Sequence, residues 1–222
     1  MPEKILLSWS GGKDSVLALR ELQKKNDFEI AALITTITKG YDRVSMHGIR
    51  RILLEQQAGS IGIHLEKIFI SQNASNEEYE SKFSEVLFEY KKLGISSVAF
   101  GDIFLEDIRR YREDFLRGMG MKGLFPIWAK NSMDLANMFI TSGFKAVITC
   151  VDSEAIEKSF AGREYDEQFL SDLPAGADPC GENGEFHTFV YAGHIFKSPM
   201  IFAKGEVVLR DNRFYYCDLI PT

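Results

Sequence analysis

Four times before residue 118, a short run of apolar and β-branched residues is followed by a longer stretch with apolar residues at helical spacing. The runs at 5–9, 30–36, 65–70 and 97–100 have the length of buried strands, and the stretches at 13–26, 47–62, 76–93 and 104–117 that of helices. Val16, Leu17, Leu19 and Leu22 mark the inward face of the first helix. Ile49, Ile52, Leu53 and Ala58 mark that of the second, and Tyr79, Phe83, Val86, Leu87 and Tyr90 that of the third. Strand–helix alternation of this kind gives an α/β fold with parallel strands, because each strand must be followed by a crossover before the next can run the same way. Helices should cover both faces of the sheet. Ligands of such sheets bind at the carboxyl ends of strands, where the strand order reverses. That rule singles out the loops after Trp9 and after Phe100.

The pattern changes after Gly123. Residues 124–128, 132–142 and 146–151 read as one more strand–helix–strand unit, and 152–185 read as irregular. That irregular stretch carries ten Asp or Glu against Lys158 and Arg163, a net of −8. Strands are expected at 186–191, 207–210 and 214–219, the last two flanking Asp211-Asn212 as a hairpin turn. The expected organisation is a parallel-sheet domain over 1–123 and a smaller α+β domain over 124–222, packed on the first. With 222 residues, 45% of them hydrophobic, the chain can bury a core of that size. A net charge of −6 argues against nucleic acid as a partner. Cys150, Cys180 and Cys217 are odd in number and form no CxxC pair, which argues against a disulfide framework or a four-cysteine metal site and fits a cytoplasmic location. No apolar run approaches membrane-spanning length, and the apolar stretch after Met1 is too short for a signal-peptide core.

Between the first strand and the first helix lies Ser10-Gly11-Gly12-Lys13-Asp14-Ser15. Two glycines let the backbone turn tightly with its N–H groups converging on one space. The start of the helix adds roughly half a positive charge there. Lys13 adds a full charge, and Ser10 and Ser15 add hydroxyls. Together these suit a phosphate-like anion. The loop is too short for GxxxxGK[ST], and GxGxxG is absent. The plainer alternative is a tight turn capped by Ser10 with Lys13 in solvent.

SGGKDS directly after the first strand resembles the signature of the PP-loop ATP pyrophosphatases. That resemblance implies an adenine-nucleotide α-hydrolase-like (HUP) fold and cleavage of ATP to AMP and pyrophosphate, with Mg2+ as cofactor. It implies that Ser10, Gly11, Gly12, Lys13 and Ser15 hold the pyrophosphate. Asp14 would sit near the magnesium ion, or serve only as a first-turn carboxylate on the helix dipole. Further along, Met46-His47 at the start of a helix, Gly101-Asp102-Ile103 followed by Arg109 and Arg112, and Gly181-Glu182-Asn183-Gly184-Glu185-Phe186-His187-Thr188 are similar, in order, to the diphthine–ammonia ligase branch over nearly the whole chain. In the ligase form of the octapeptide a glycine stands at the position of Asn183 and an acid at that of His187. This variant is closer to bacterial relatives.

The resemblance implies attack of a substrate carboxylate on the α phosphorus of ATP, followed by conversion of the acyl-adenylate to an amide by ammonia. ATP, a protein-bound or small-molecule carboxylate and ammonium are the implied partners, no membrane is involved, and a homodimer is compatible. Lys13, Asp102, Glu185 and His187 are the candidates to touch the reacting groups. His47, Gly101, Arg109 and Arg112 are candidates for the nucleotide, and Glu182, Asn183, Gly184, Glu185 and Thr188 for the substrate. Residues 34–38 are expected to border the base. Each has a plainer alternative. Asp102 would cap the following helix, and Arg109 and Arg112 would form ion pairs on an outer face that also carries Glu106, Asp107, Glu113 and Asp114. The glutamates would belong to a polar turn, and either histidine would be structural. Phe125, Trp128 and Tyr191 read as core, and Cys180 as an inert thiol. A tRNA-modifying PP-loop enzyme and a nucleotide-binding sensor without turnover are the competing functions; the acidic chain and the absent CxxC count against the first.

Overall fold

The computed structural model describes residues 1–222. The first sheet is built from β1 (Glu3–Ser8), β2 (Phe28–Thr38), β3 (Arg43–Val44), β4 (Leu65–Ile70), β5 (Ser97–Ala99) and β6 (Lys122–Leu124). Its main order is β4-β2-β1-β5-β6, all parallel. The short β3 pairs antiparallel with Ile37 and Thr38, past the point where β1 leaves β2. The expected parallel α/β fold is therefore present. The order reverses at β1, so β1 and β5 are neighbours at the switch point and the loops after Trp9 and Phe100 lie side by side.

The connecting helices are α1 (Lys13–Lys24), α2 (Arg51–Ile61), α3 (Asn76–Lys92) and α4 (Glu106–Gly118). α3 starts where Ser75 accepts a hydrogen bond from the Glu78 N–H, with Glu77 and Glu78 in the first turn and Lys91 and Lys92 in the last, each on the favoured end of the helix dipole. The two-residue period of β1 divides its side chains between two cores. Ile5 and Leu7 enter a cluster of 39 buried residues that also holds Phe139, Val147 and Phe189 of the second half. Leu6 enters a separate cluster of 12 with Ile34, Phe83, Leu87 and Val98. Each such leucine contributes roughly 1.5–3 kcal/mol by leaving water. The larger cluster is shared, so the second half is docked on the first by its own core rather than tethered to it.

The second half holds α5 (Ser132–Thr141), β7 (Lys145–Asp152), α6 (Glu167–Asp172), β8 (Phe186–Ala192), β9 (Phe202–Arg210) and β10 (Phe214–Pro221). Its strands form an antiparallel sheet in the order β8-β7-β10-β9. The β9–β10 turn is closed by the Arg213 N–H donating to the Arg210 carbonyl, with Asp211 and Asn212 both at positive φ as a type I′ turn requires. No helix is long and apolar enough to cross a membrane.

Several expected boundaries move. The second helix begins at Arg51, not His47: residues 43–44 pair with β2 first, and Met46 and Gly48 at positive φ turn the chain before a helix can start. Ile52 is 45% exposed, whereas Leu53, Leu54 and Gln57 face inward. The strand expected at 124–128 is instead β6, which ends at Leu124 and completes the first sheet. Residues 152–185 contain α6 and a 3-10 turn at Lys158–Phe160. The strand expected at 207–210 starts earlier, at Phe202, because β10 offers it a longer partner.

Candidate functional site

The loop after β1 is enclosed by both halves. Trp9 ends the strand by donating its N–H to the Ile34 carbonyl of β2. Gly11 then turns at φ 77°, where only glycine is unstrained. A Cβ on Gly12 would lie 3.1 Å from His47 Cε1 and 3.1 Å from the Thr188 carbonyl, so that position is held between two functional candidates. Ser10 does not cap the helix. Gly12 is the N-cap residue, and no side chain of the loop caps it. The cap comes from the other sheet: the Lys13 N–H donates to Thr188 Oγ1 at 3.0 Å across 175 residues. Thr188 therefore fixes the loop instead of facing open space.

Lys13 is not in solvent. It is 2% exposed, and its ammonium donates to Asp14 Oδ2 at 2.9 Å and to the Cys180 carbonyl. The rings of Tyr165 and Phe186 flank it at 5.8 and 5.3 Å. Burial disfavours its charge, but Asp14, Cys180 and Glu182 outweigh burial and hold its pKa above the ordinary value. The acids around it outnumber it. Burial pushes Asp14 and Asp102 above the usual carboxylate range despite their cationic neighbours, with Asp178 raising Asp14 further and Asp14 raising Asp102. Burial, with Asp14 and Asp102 nearby, pushes Glu182 up to about 7.

Glu182 ties its own turn to the loop after Phe100. Its Oε1 accepts from the N–H of Ile103 at 2.7 Å and of Phe104 at 3.3 Å. The turn that carries it is organised by Asp178, whose Oδ2 accepts from the N–H of Cys180 and of Glu182, both at 3.0 Å. Glu185 is 6% exposed and closes the same turn: its Oε1 accepts from the Asp178 N–H at 2.9 Å and from Asn183 Nδ2 at 3.0 Å. Asn183 itself is exposed. Gly181 stands at φ 65° with the Phe186 carbonyl 2.8 Å from where a Cβ would be, and Gly184 at φ 91°. Three buried carboxylate oxygens in this region have no hydrogen-bond partner: Asp14 Oδ1, Asp102 Oδ2 and Glu185 Oε2.

The β5–α4 loop presses on the first. A Cβ on Gly101 would lie 2.8 Å from the carbonyl carbon and oxygen of Asp14, so glycine is what allows the contact. Asp102 does not cap α4; Leu105 is the N-cap. Its carboxylate faces Arg112 at 2.9 Å, off the line of a hydrogen bond. Arg112 lies over Phe100, and Arg109 lies over Phe125 and Trp128 while its Nε donates to Glu113. The two arginines are thus committed to an acid and to rings, and Phe125 and Trp128 are half-buried walls for Arg109 rather than core. His47 and His187 meet with ring centroids 4.4 Å apart. Burial holds His187 at about 4, and burial with the proximity of His187 holds His47 well below its ordinary value, so both are neutral at pH 7. The ordinary imidazole pKa that suggested acid/base work for His187 is absent here. Cys180 is a buried thiol pushed up to about 12 by burial, and so inert.

Beside this enclosure, past the carboxyl ends of β2 and β4, lies a cleft of about 400 Å³ bordered by Thr38, Arg43, Met46, Gln72, Arg210 and Asp218. Residues 34–38 run up to it, and the segment carrying His47 is the wall between it and the loop. Asp218 braces that wall, accepting from Arg43 at 2.9 Å and from two nitrogens of Arg50 at 3.0 and 2.7 Å. Sequence inspection passed over Asp178, Asp218 and Gln57. For Gln57 a signal existed, a polar residue on the apolar stripe of α2 between Leu53, Leu54 and Ala58. For the two aspartates there was none, since their partners are set by the fold.

Residues 3–123 match the family model described as the diphthamide synthase N-terminal domain, and residues 131–217 the one described as the diphthamide synthase C-terminal domain. A protein of Schizosaccharomyces pombe named diphthine–ammonia ligase is 26% identical over 92% of this chain, and one of Mus musculus with the same name is 26% identical over 90%. The Homo sapiens protein of that name is 27% identical over 67% of this chain. The matched region spans 37% of the S. pombe protein, 57% of the human one and 83% of the mouse one.

Proposed function

The chain belongs to the diphthamide synthase family, and from that premise we propose that it is an ATP-dependent ligase that adenylates a carboxylate, releases pyrophosphate, and amidates the adenylate with ammonia. The observation that carries this is the enclosure of Lys13. A lysine ammonium on the glycine loop is shut in by Asp14, the Cys180 turn and the rings of Tyr165 and Phe186, where the terminal phosphates of a nucleotide would meet it. The pyrophosphate of ATP would lie against Gly11, Gly12 and the ammonium, with the adenosine directed along residues 34–38.

The two steps need different things. In the first, a carboxylate oxygen attacks the α phosphorus and the bond to the bridging oxygen breaks; the developing charge goes to the pyrophosphate, where Lys13 and the loop N–H groups stabilise it. In the second, nitrogen attacks the acyl carbon and AMP leaves. Ammonium must first lose a proton. Glu182, at about 7, is balanced to accept one near neutral pH, and the unpartnered Glu185 Oε2 adds negative charge that attracts the cation. Magnesium fits the donors present: Asp14 Oδ1 is a buried hard oxygen without a partner, and Asp102 Oδ2, which faces only the Arg112 guanidinium, is a second hard oxygen. No three such side chains form a ready-made cage, as expected for an ion that arrives with phosphate and keeps water. When bound, it would neutralise phosphate charge. We place the enzyme in the cytoplasm and the division between its domains near residue 123.

The test is incubation with Mg-ATP, ammonium and a panel of carboxylates. AMP and pyrophosphate formed in step with an amide are expected; ADP and phosphate would exclude the mechanism. ATP binding without any AMP across the panel would leave a nucleotide sensor instead.

A further inference from the structure

Gln57 of α2 is 0% exposed, and each of its polar groups is engaged. Its Oε1 accepts from Trp9 Nε1 at 3.0 Å, and its Nε2 donates to the Gly11 carbonyl at 3.0 Å and to the Val190 carbonyl at 2.5 Å. Indole nitrogen only donates and a carbonyl only accepts, so the amide can face only one way. The Gly11 carbonyl takes a second bond, from the Val190 N–H at 2.9 Å. It is therefore pinned away from the loop's concave side, toward α2 and β8. A trans peptide is planar, with its carbonyl and the following N–H pointing in opposite directions. Pinning the Gly11 carbonyl outward turns the Gly12 N–H inward, where it meets Ser10 Oγ at 3.2 Å. Gly11 is pressed onto the same residue, since a Cβ there would lie 2.7 Å from Gln57 Oε1 and 2.5 Å from Leu54 Cδ1.

We infer that Gln57 is a positioning residue that aims the Gly12 N–H at the β and γ phosphates of ATP, by holding one peptide plane between the two halves of the molecule. This rests on the loop being the pyrophosphate site. Gln57 touches no substrate itself. A merely structural glutamine would affect all ligands alike, or none. One that sets the Gly11–Gly12 peptide affects only ligands that carry the terminal phosphates.

The 222-residue chain and its Gln57→Met variant are titrated with ATP and, separately, with AMP. The expected result is ATP binding weakened about tenfold, the scale of one well-aimed hydrogen bond to a charged group, with AMP binding changed less than about twofold. Phe83→Leu, in the other core cluster, supplies a variant of reduced stability whose ATP-to-AMP affinity ratio should stay that of the wild type. Gln57→Glu should bind ATP poorly at pH 8, where a carboxylate faces two carbonyls, and regain affinity as pH falls and the acid becomes a donor. Parallel loss of ATP and AMP binding in Gln57→Met, or no loss of either, overturns the assignment. If Gln57→Met does not fold, Trp9→Phe, which removes the indole N–H that orients the amide along with part of a buried ring, should weaken ATP selectively by about threefold while AMP binding follows that of Phe83→Leu, and an unchanged ratio overturns it. A wild-type chain that binds ATP no more tightly than AMP overturns the loop as pyrophosphate site, which is a separate failure.

Discussion

Replacing Glu182 with glutamine should make the protein more stable at pH 8 and leave it nearly unchanged at pH 4.5. The folded protein holds this carboxyl up to about 7 against an ordinary 4.5. Between those values the folded state carries a proton that the unfolded chain has already released, so stability falls as pH rises through that window. Each pH unit is worth about 1.4 kcal/mol, so the full shift corresponds to about 3 kcal/mol. The side chain is partly exposed, and solvent screening brings the expected gain to about 2 kcal/mol. The glutamine side chain would keep an oxygen to accept from the Ile103 N–H, so the link between the Glu182 turn and the loop after Phe100 survives and only the buried charge is lost. The midpoint temperature should rise by roughly 4–8 °C for a chain of this size. The assay is urea unfolding of both proteins from pH 4.5 to 8, read as the difference between their two pH profiles. Other titrating groups cancel in that difference, apart from Asp14 and Asp102, which lose a like-charged neighbour and add to the gain, and Lys13, which loses an attracting one and subtracts from it. Parallel profiles would refute the account of Glu182 as a strained acid poised near neutrality. The same variant should form amide slowly while still releasing pyrophosphate, if the carboxylate takes the proton from ammonium.

Lys13→Met should retain ATP-independent fold signals by circular dichroism but lower AMP formation by about 100- to 1000-fold, the scale of removing one preorganised charge from a transition state. Gly101→Ala should cost about 1–3 kcal/mol in urea unfolding and weaken ATP binding in calorimetry, because its methyl group collides with the Asp14 carbonyl. Thr188→Val keeps the shape but leaves the Lys13 N–H without its partner; about 1 kcal/mol of stability should be lost, and a change in AMP formation without a change in stability would contradict its role as a cap. Asp218→Asn should destabilise the wall of the cleft by about 1 kcal/mol at pH 7. Hydrogen bonds from Arg50 and Arg43 hold the Asp218 carboxyl well below the usual range, so its contribution is present at neutral pH and fades as pH falls below about 4, where variant and wild type should converge in thermal melts.

The alternation of strand and helix was legible because periodicity is local. Side chains two apart on a strand and three or four apart on a helix share a face whatever the rest of the chain does. The order of Ile5, Leu6 and Leu7 thus already implied two cores. The SGGKDS loop was legible for the same reason: two glycines and a helix start within six residues have the local geometry that suits an anion. The octapeptide marked a second locus, and its glycines stand at the positive φ values that its turns need. What the sequence left open were the partners. Capping of α1 by Thr188, the grip of Glu182 on Ile103 and the hold of Gln57 on Gly11 link residues 175, 79 and 46 positions apart. No local pattern selects such pairs. The first two follow from the docking of one sheet on the other through a shared core, and the third from the packing of α2 against the loop after β1. Protonation was equally beyond reach, because burial and neighbouring charge, not residue type, keep His47 and His187 neutral and bring Glu182 near 7. Sequence determined the glycine turn and the lysine that the proposed anion site needs; the tertiary structure decided that this lysine is buried and ringed by acids from both halves, because its surroundings come from the docked sheets.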